Sequence, residues 1–88
     1  MKLKFNVQIT LYGMEKSCAV WSDERNDILG IGEYTGVGRN IDEAVDDFFK
    51  EVPMVMETSD GQKADMSRME YELRRPYSVV HADNVVYF

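Results

Sequence analysis

The sequence predicts an α+β fold: an antiparallel three-stranded meander, then one main helix packed on the sheet, then further C-terminal strands, a β-β-β-α-β-like order. Three observations predict it. From Lys2 to Tyr12 the apolar Leu3, Phe5, Val7, Ile9 and Leu11 alternate with Lys2, Lys4, Asn6, Gln8 and Thr10, and only a period of two gives that pattern. Behind Asn40, the residues Ile41, Ala44, Val45, Phe48, Phe49 and Val52 recur at helical spacing. Beyond Pro76, "YSVVHADNVVYF" is rich in β-branched and aromatic residues.

The 88 residues are read as a single domain, 1–88, because a chain of this size buries only about 60–65% of its unfolded surface and cannot be divided between two cores. With 44% hydrophobic and 30% charged residues the chain belongs with globular rather than disordered sequences. The formal charge of −6 argues against direct binding to nucleic acid or an anionic membrane and favours a basic protein partner. The lone Cys18 excludes an internal disulfide. No stretch approaches the ~20 apolar residues of a membrane span, and "MKLKF" leads into polar alternation, so a reducing, cytoplasmic location is expected.

In chain order, "YGMEK" reads as the turn after the first strand. "SCAVWS" reads as a short second strand carrying Trp21, and "DERND" at 23–27 as a second turn. A third strand is expected from near Ile28 through "ILGIGEYTGVG", where Gly30, Gly32, Gly36 and Gly38 share one parity and leave one face nearly bare. Such a face permits twist, a bulge or close approach of the following helix, and a glycine-rich ligand loop is the functional alternative. Two tests weaken that alternative. The dinucleotide fingerprint needs glycine where Thr35 stands, and the phosphate-loop pattern needs an absent Lys followed by Ser or Thr. The helix also opens on Asp42, Glu43, Asp46 and Asp47, whose charges already occupy the favourable end of its dipole and would repel a phosphate.

Asn40 is the expected N-cap, with Glu43 three residues on as in a capping box, and Pro53 ends or kinks the helix after Val52. After "MVME", "TSDGQK" reads as a loop around Gly61. Residues 65–75 fit two templates. Met69, Tyr71 and Leu73 alternate with charged neighbours as in a strand, the reading preferred, while Met66, Met69 and Leu73 also suit a short helix. "ADN" at 82–84 suggests a hairpin turn between "YSVV" and "VVYF".

Chemistry-bearing residues are few. His81 has no partner at metal-ligand spacing and reads as a strand histidine, and Cys18 as a small apolar filler, although the fold can bring distant residues together. Neither a catalytic residue nor a cofactor or metal site is predicted. The densest charge is Asp42, Glu43, Asp46, Asp47 and Glu51, which forms either a solvated helix face or the binding surface for a basic partner. A divalent cation is the weaker alternative, because no loop supplies further oxygen ligands. Met54, Met56, Met66 and Met69 either fill gaps in the core or make an adaptable patch facing a partner.

The stretch "CAVWSDERNDILGIGEYTGVGRNIDEAVDDFFKEV" at 18–52 resembles the amino-terminal domain of HicB-type antitoxins. In that family a short strand ending in an acidic turn leads to a third strand, then a glycine two residues before the helix N-cap, then a helix of the form "EEA" followed by apolar residues. Gly38, Asn40, Glu43, Ala44 and Val45 fill those places, with Trp21, Ser22 and Asp23 near the acidic turn. The resemblance implies a ribonuclease-H-like fold without catalytic residues that covers a small basic toxin, usually as an oligomer. The turn "SDERND" lacks the family's proline- and glycine-containing form, and no ribbon-helix-helix or helix-turn-helix segment follows, so operator binding is not expected. The leading expectation is a non-enzymatic binding module. A self-associating structural domain and an acidic mimic of nucleic acid that blocks a nucleic-acid-binding protein are the alternatives.

Overall fold

The architecture is a small mixed α+β fold, described by a computed structural model for residues 2–23 and 27–81. Strand β1 spans Lys2–Tyr12 and β2 spans Glu15–Trp21, paired antiparallel from Tyr12↔Glu15 to Asn6↔Trp21. Two residues close this hairpin. Gly13 has φ 60°, the positive value that the first central position of a type II′ turn requires and glycine supplies at little steric cost. Alternation along β1 sends Leu3, Phe5 and Val7 into the core, and Cys18 and Val20 of β2 join them on the same inner face.

Strand β3, Gly36–Gly38, adds antiparallel to β2, with Val37 opposite Ala19. Helix α1, Ile41–Glu51, follows at once. Asn40 accepts from the Glu43 N–H at 2.9 Å and donates from its side-chain amide to Glu43 Oε2 at 3.1 Å, so the N-terminal residues satisfy one of the helix's free donors. The helix stops at Val52, ahead of Pro53.

After α1 come β4 (Val55–Glu57) and β5 (Lys63–Asp65), an antiparallel hairpin forming a separate small sheet. A single 3-10 turn at Met66–Arg68 leads into β6 (Glu70–Leu73), and β7 (Ser78–His81) follows. Both run parallel to β1 along one edge of it, β6 beside Lys2–Phe5 and β7 beside Gln8–Leu11. The main sheet therefore reads β3-β2-β1-β6, with β7 also on β1. The chain from Leu73 to Ser78 is two residues longer than the stretch of β1 it faces, and it contains a cis Arg75–Pro76 bond.

The helix packs nearest β3 and β2. Its large side chains reach from there across the inner face, Phe48 meeting Phe5 edge-on at 4.8 Å between ring centroids and Phe49 meeting it at 5.9 Å. Phe5, Phe48, Ala44, Val45, Ile28, Ile31 and Met66 are buried in one cluster. Each large side chain so buried contributes about 1.5–3 kcal/mol.

The third strand differs from the sequence reading. Only Gly36–Gly38 is strand; Ile28 makes an isolated bridge to Thr58, and Ile31–Glu33 is one turn of 3-10 helix. The reason is local. Gly30 takes φ 82°, which turns the chain, and Ile28 and Ile31 are spaced so that a tight turn sends both into the core. The Leu29 N–H donates to Glu57 O at 2.9 Å, tying the segment to β4 instead of to β2. Residues 65–75 realise both templates in part, a 3-10 turn and then a strand, and the β4–β5 pairing around "TSDGQ" has no counterpart in the sequence reading. The "ADN" turn and "VVYF" lie outside the described residues.

A Cβ on Gly36 would stand 2.1 Å from Ala44 O and 2.6 Å from Phe48 N, and one on Gly38 would stand 2.7 Å from Ala44 N. All three are backbone atoms that cannot swing away. Gly36→Ala is expected to cost about 3 kcal/mol or more by displacing the helix. Gly13→Ala meets open space and loses only about 1–2 kcal/mol for its positive φ. Urea unfolding midpoints of the two variants check this, the expected order being Gly36→Ala well below Gly13→Ala.

Candidate functional site

The five carboxylates of α1 do not form one cluster. Glu43 and Asp47 lie on the flank toward β3 and serve the fold: Glu43 completes the N-terminal cap, and Asp47 Oδ2 accepts from the Val37 backbone N–H at 2.9 Å. That bond occupies an outward donor of an edge strand, which hinders pairing with another chain there. Asp42 and Asp46 stand one turn apart, exposed, on the opposite flank. Glu51 closes the helix at its far end, where a negative charge is unfavourable to the dipole.

The flank carrying Asp42 and Asp46 borders a groove of about 310 Å³. One wall is α1 through Val45, Asp46 and Phe49; the opposite wall comes from Met69 and Tyr71, and Met54 closes one end. Asp46 is its one charged lining residue. At the bottom of the ~300–1,000 Å³ range typical of small-molecule sites, and open to water, it is sized for one or two protein side chains. Met54 is 73% exposed and Tyr71 41%, so apolar surface faces solvent here. Unbranched, polarizable methionines adapt to differently shaped partners. A larger cleft of about 470 Å³ borders Glu15, Lys16 and Arg39, but its walls are mostly polar, and it offers no apolar anchor point.

The sequence signal for this groove is the run of methionines between residues 54 and 69. Met56 is buried in the core, Met66 is buried but lines the groove, and Met54 and Met69 line it from nearer the surface, so the run divides between core and surface. Phe49 and Tyr71 are the lining residues that sequence patterning hides. Phe49 belongs to the helix's apolar stripe, and Tyr71 to an alternating strand whose edge position only the fold reveals.

Cys18 is buried on β2, with Sγ 4.0 Å from Arg39 O. His81 is exposed on β7. Strand β1 runs between them, which sets them about 10 Å or more apart. Among the described residues no group of three or more His, Cys, Asp or Glu is placed to hold a metal ion, and no helix is long and apolar enough to cross a membrane.

Two other carboxylates have perturbed acidities. Asp60 is held below the ordinary value of 3.8, chiefly by the hydrogen bond from the Thr58 hydroxyl. Asp65 is also held below it, chiefly by the Ser67 hydroxyl, which donates to Oδ1 at 2.6 Å. A lowered folded-state pKa means these bonds stabilise the fold fully above the unfolded value and are lost as pH falls through the folded values. NMR titration of the side-chain carboxyls is expected to give midpoints below 3.8 for both. Thr58→Val should raise the Asp60 midpoint and leave that of Asp65 in place; a joint shift of both would contradict the local cause.

Comparison of the chain with protein-family models, with curated proteins and with solved structures finds no match, so the chemistry of the site rests on its own geometry.

Proposed function

We propose that the chain is a non-enzymatic, cytoplasmic protein-binding module of the HicB antitoxin type, which engages a small basic protein through the flank of α1 that carries Asp42 and Asp46. The observation that carries this reading is the pairing of those two carboxylates with an apolar, methionine-lined groove on the same flank. An apolar anchor in the groove would supply burial, while cationic groups beside Asp42 and Asp46 would supply steering and register. Within 18–52 the order is the end of β2, then β3, then a capped acidic helix, the strand-to-helix order that the resemblance implies; a β4–β5 hairpin then precedes the strands that run parallel to β1. Glu43 and Asp47 belong to the fold in this reading, and Glu51 adds only general negative charge.

A homo-oligomer is the second reading, favoured by one observation. Strand β7 pairs only with β1 among the described residues, and it carries Val79 and Val80 at 51% and 41% exposure with no Asp, Glu, Lys or Arg. Edges of that kind promote pairing between copies.

Asp42→Lys combined with Asp46→Lys is expected to weaken capture of a small basic partner by about tenfold or more, with most of the loss in association rate. Glu43→Gln should leave the affinity unchanged while lowering stability. Surface-binding kinetics at two salt concentrations check both; equal affinities for the lysine variant and the native chain would remove the electrostatic basis of the proposal. Light scattering across a dilution series tests the second reading, and a monomer at every concentration would count against it.

A further inference from the structure

The edges of the main sheet are not equivalent. On β3 the Asp47 carboxylate occupies the outward Val37 N–H. On the other side, β6 pairs with β1 alone among the described residues, so its outer edge keeps unpaired backbone donors and acceptors. That edge adjoins the groove, because Tyr71 belongs to both.

Register fixes what each face of β6 presents. Tyr71 and Leu73 stand opposite Leu3 and Phe5 and so share the inner face with the core and the groove. Glu70 and Glu72 stand opposite Lys2 and Lys4 on the outer face, and both are exposed. Lysines on β1 lie one strand farther from the open edge than the two glutamates. Arg68 and Arg74 bracket β6, each within 4 Å of a carboxylate, Asp65 at 3.9 Å and Asp23 at 3.8 Å. The charged side chains nearest the open edge are therefore Glu70 and Glu72 on its outer face, with Lys2 and Lys4 one strand behind them, while its inner face is apolar surface rimmed by Asp46.

We propose that β6 accepts an extended basic segment of a protein partner as an additional strand, with apolar residues of that segment entering the methionine groove and alternate Lys or Arg residues lying beside Glu70 and Glu72. The assignment rests on the reading of the groove as a partner site and adds the backbone conformation and residue pattern of the ligand. An added strand continues the two-residue alternation of the sheet. Its inner-face positions then fall over Met69, Tyr71 and Phe49, and its outer-face positions beside the glutamates. A helical ligand would bring charge to the Asp42–Asp46 flank but leave the β6 edge unpaired. Charge complementarity selects the basic segment over a second copy of this chain, whose own −6 charge opposes close approach.

The test uses the full chain and two synthetic peptides of identical composition, one alternating lysine with leucine and one with the same residues grouped in blocks. Fluorescence anisotropy is expected to show the alternating peptide binding about tenfold more tightly, since only it can place every leucine on one face of a strand. Hydrogen exchange should slow at the amides of Tyr71 and Leu73 when it binds, because the Arg74 N–H donates to Phe5 O and alternation turns these two amides to the open side. Glu70→Gln with Glu72→Gln, both at exposed positions, should weaken the alternating peptide by about threefold or more, since its lysines lose their partners, while changing the unfolding midpoint little. Equal affinity for the two peptides, or protection appearing at β7 instead of β6, would overturn the proposal. If the peptides bind equally and Asp42→Lys with Asp46→Lys weakens both, strand addition fails while the acidic-flank reading stands; if neither peptide binds, both fail.

Discussion

The contact between α1 and the backbone of β3 is the constraint from which the remaining features descend. With no side chain at Gly36 or Gly38, the Ala44–Phe48 turn of the helix settles directly on the strand, closer than any residue with a Cβ allows. The helix axis is thereby held over β3 and β2, off the centre of the sheet. The inner face over β1 and β6 then has to be filled by long side chains: Phe48 and Phe49 from the helix, Tyr71 from β6, Met66 and Met69 from the segment before it. Such filling is less complete than a second helix would provide. The groove is the space left over, and its position at the β6 edge follows from two glycines on the opposite side of the sheet.

The same offset divides the carboxylates of α1 by task. On the near flank, the close approach to β3 brings Asp47 within reach of an outward backbone N–H and turns a half-buried acid into a guard for an edge strand. Glu43, in the first turn, is held by Asn40. On the far flank no strand comes as close, and Asp42 and Asp46 remain in water. As i, i+4 neighbours of like sign they cost the helix a few tenths of a kcal/mol, partly offset by the dipole at its N-terminal end. Acids with structural tasks and acids without them thus alternate between Asp42 and Asp47, within about two turns of the helix, and a count of charges cannot separate the two groups.

What the sequence reveals follows from the range of the forces involved. The strand at Lys2–Tyr12, the cap at Asn40, the stripe from Ile41 to Val52 and the stop before Pro53 are each set by neighbours within a turn or a few residues, and each is legible. The close approach that Gly36 and Gly38 permit is likewise readable from their bare face. Ile28 to Glu33 is misread as strand because its apolar residues fit two periods at once, and the contact that decides, Leu29 to Glu57 on β4, lies far along the chain. The β4–β5 hairpin is hidden by its length: three residues a side show no period. For the site, the methionine run points to the region, but its division between core and groove depends on the packing of Pro53–Met54 against Met66, where the Met66 N–H donates to Met54 O at 2.8 Å.

One further consequence comes from the length of β1. Its first half is covered by the side chains of α1, but beyond Ile9, where β3 ends, the strand continues with β2 and β7 as a three-stranded arm, and Leu11 is only half-buried on its inner face. The molecule measures 50 × 25 × 20 Å, and its radius of gyration of 14.7 Å exceeds the ~12 Å expected of a compact chain of this length. Backbone pairing, with little apolar burial behind it, holds the arm together, which places it at the low-stability end of the structure. The covered half of β1 carries β6 and the groove, whereas β7 starts beside Gln8 and Ile9 at the margin of the core and runs out along the arm to Leu11. The two open edges on this side of the sheet therefore differ in rigidity as well as in charge. A partner strand added at β6 meets a preorganised surface anchored by Phe5, Phe48 and Phe49 and loses little entropy in ordering it. One added at β7 would first have to order the arm, and that difference favours β6 as the edge through which binding energy is realised.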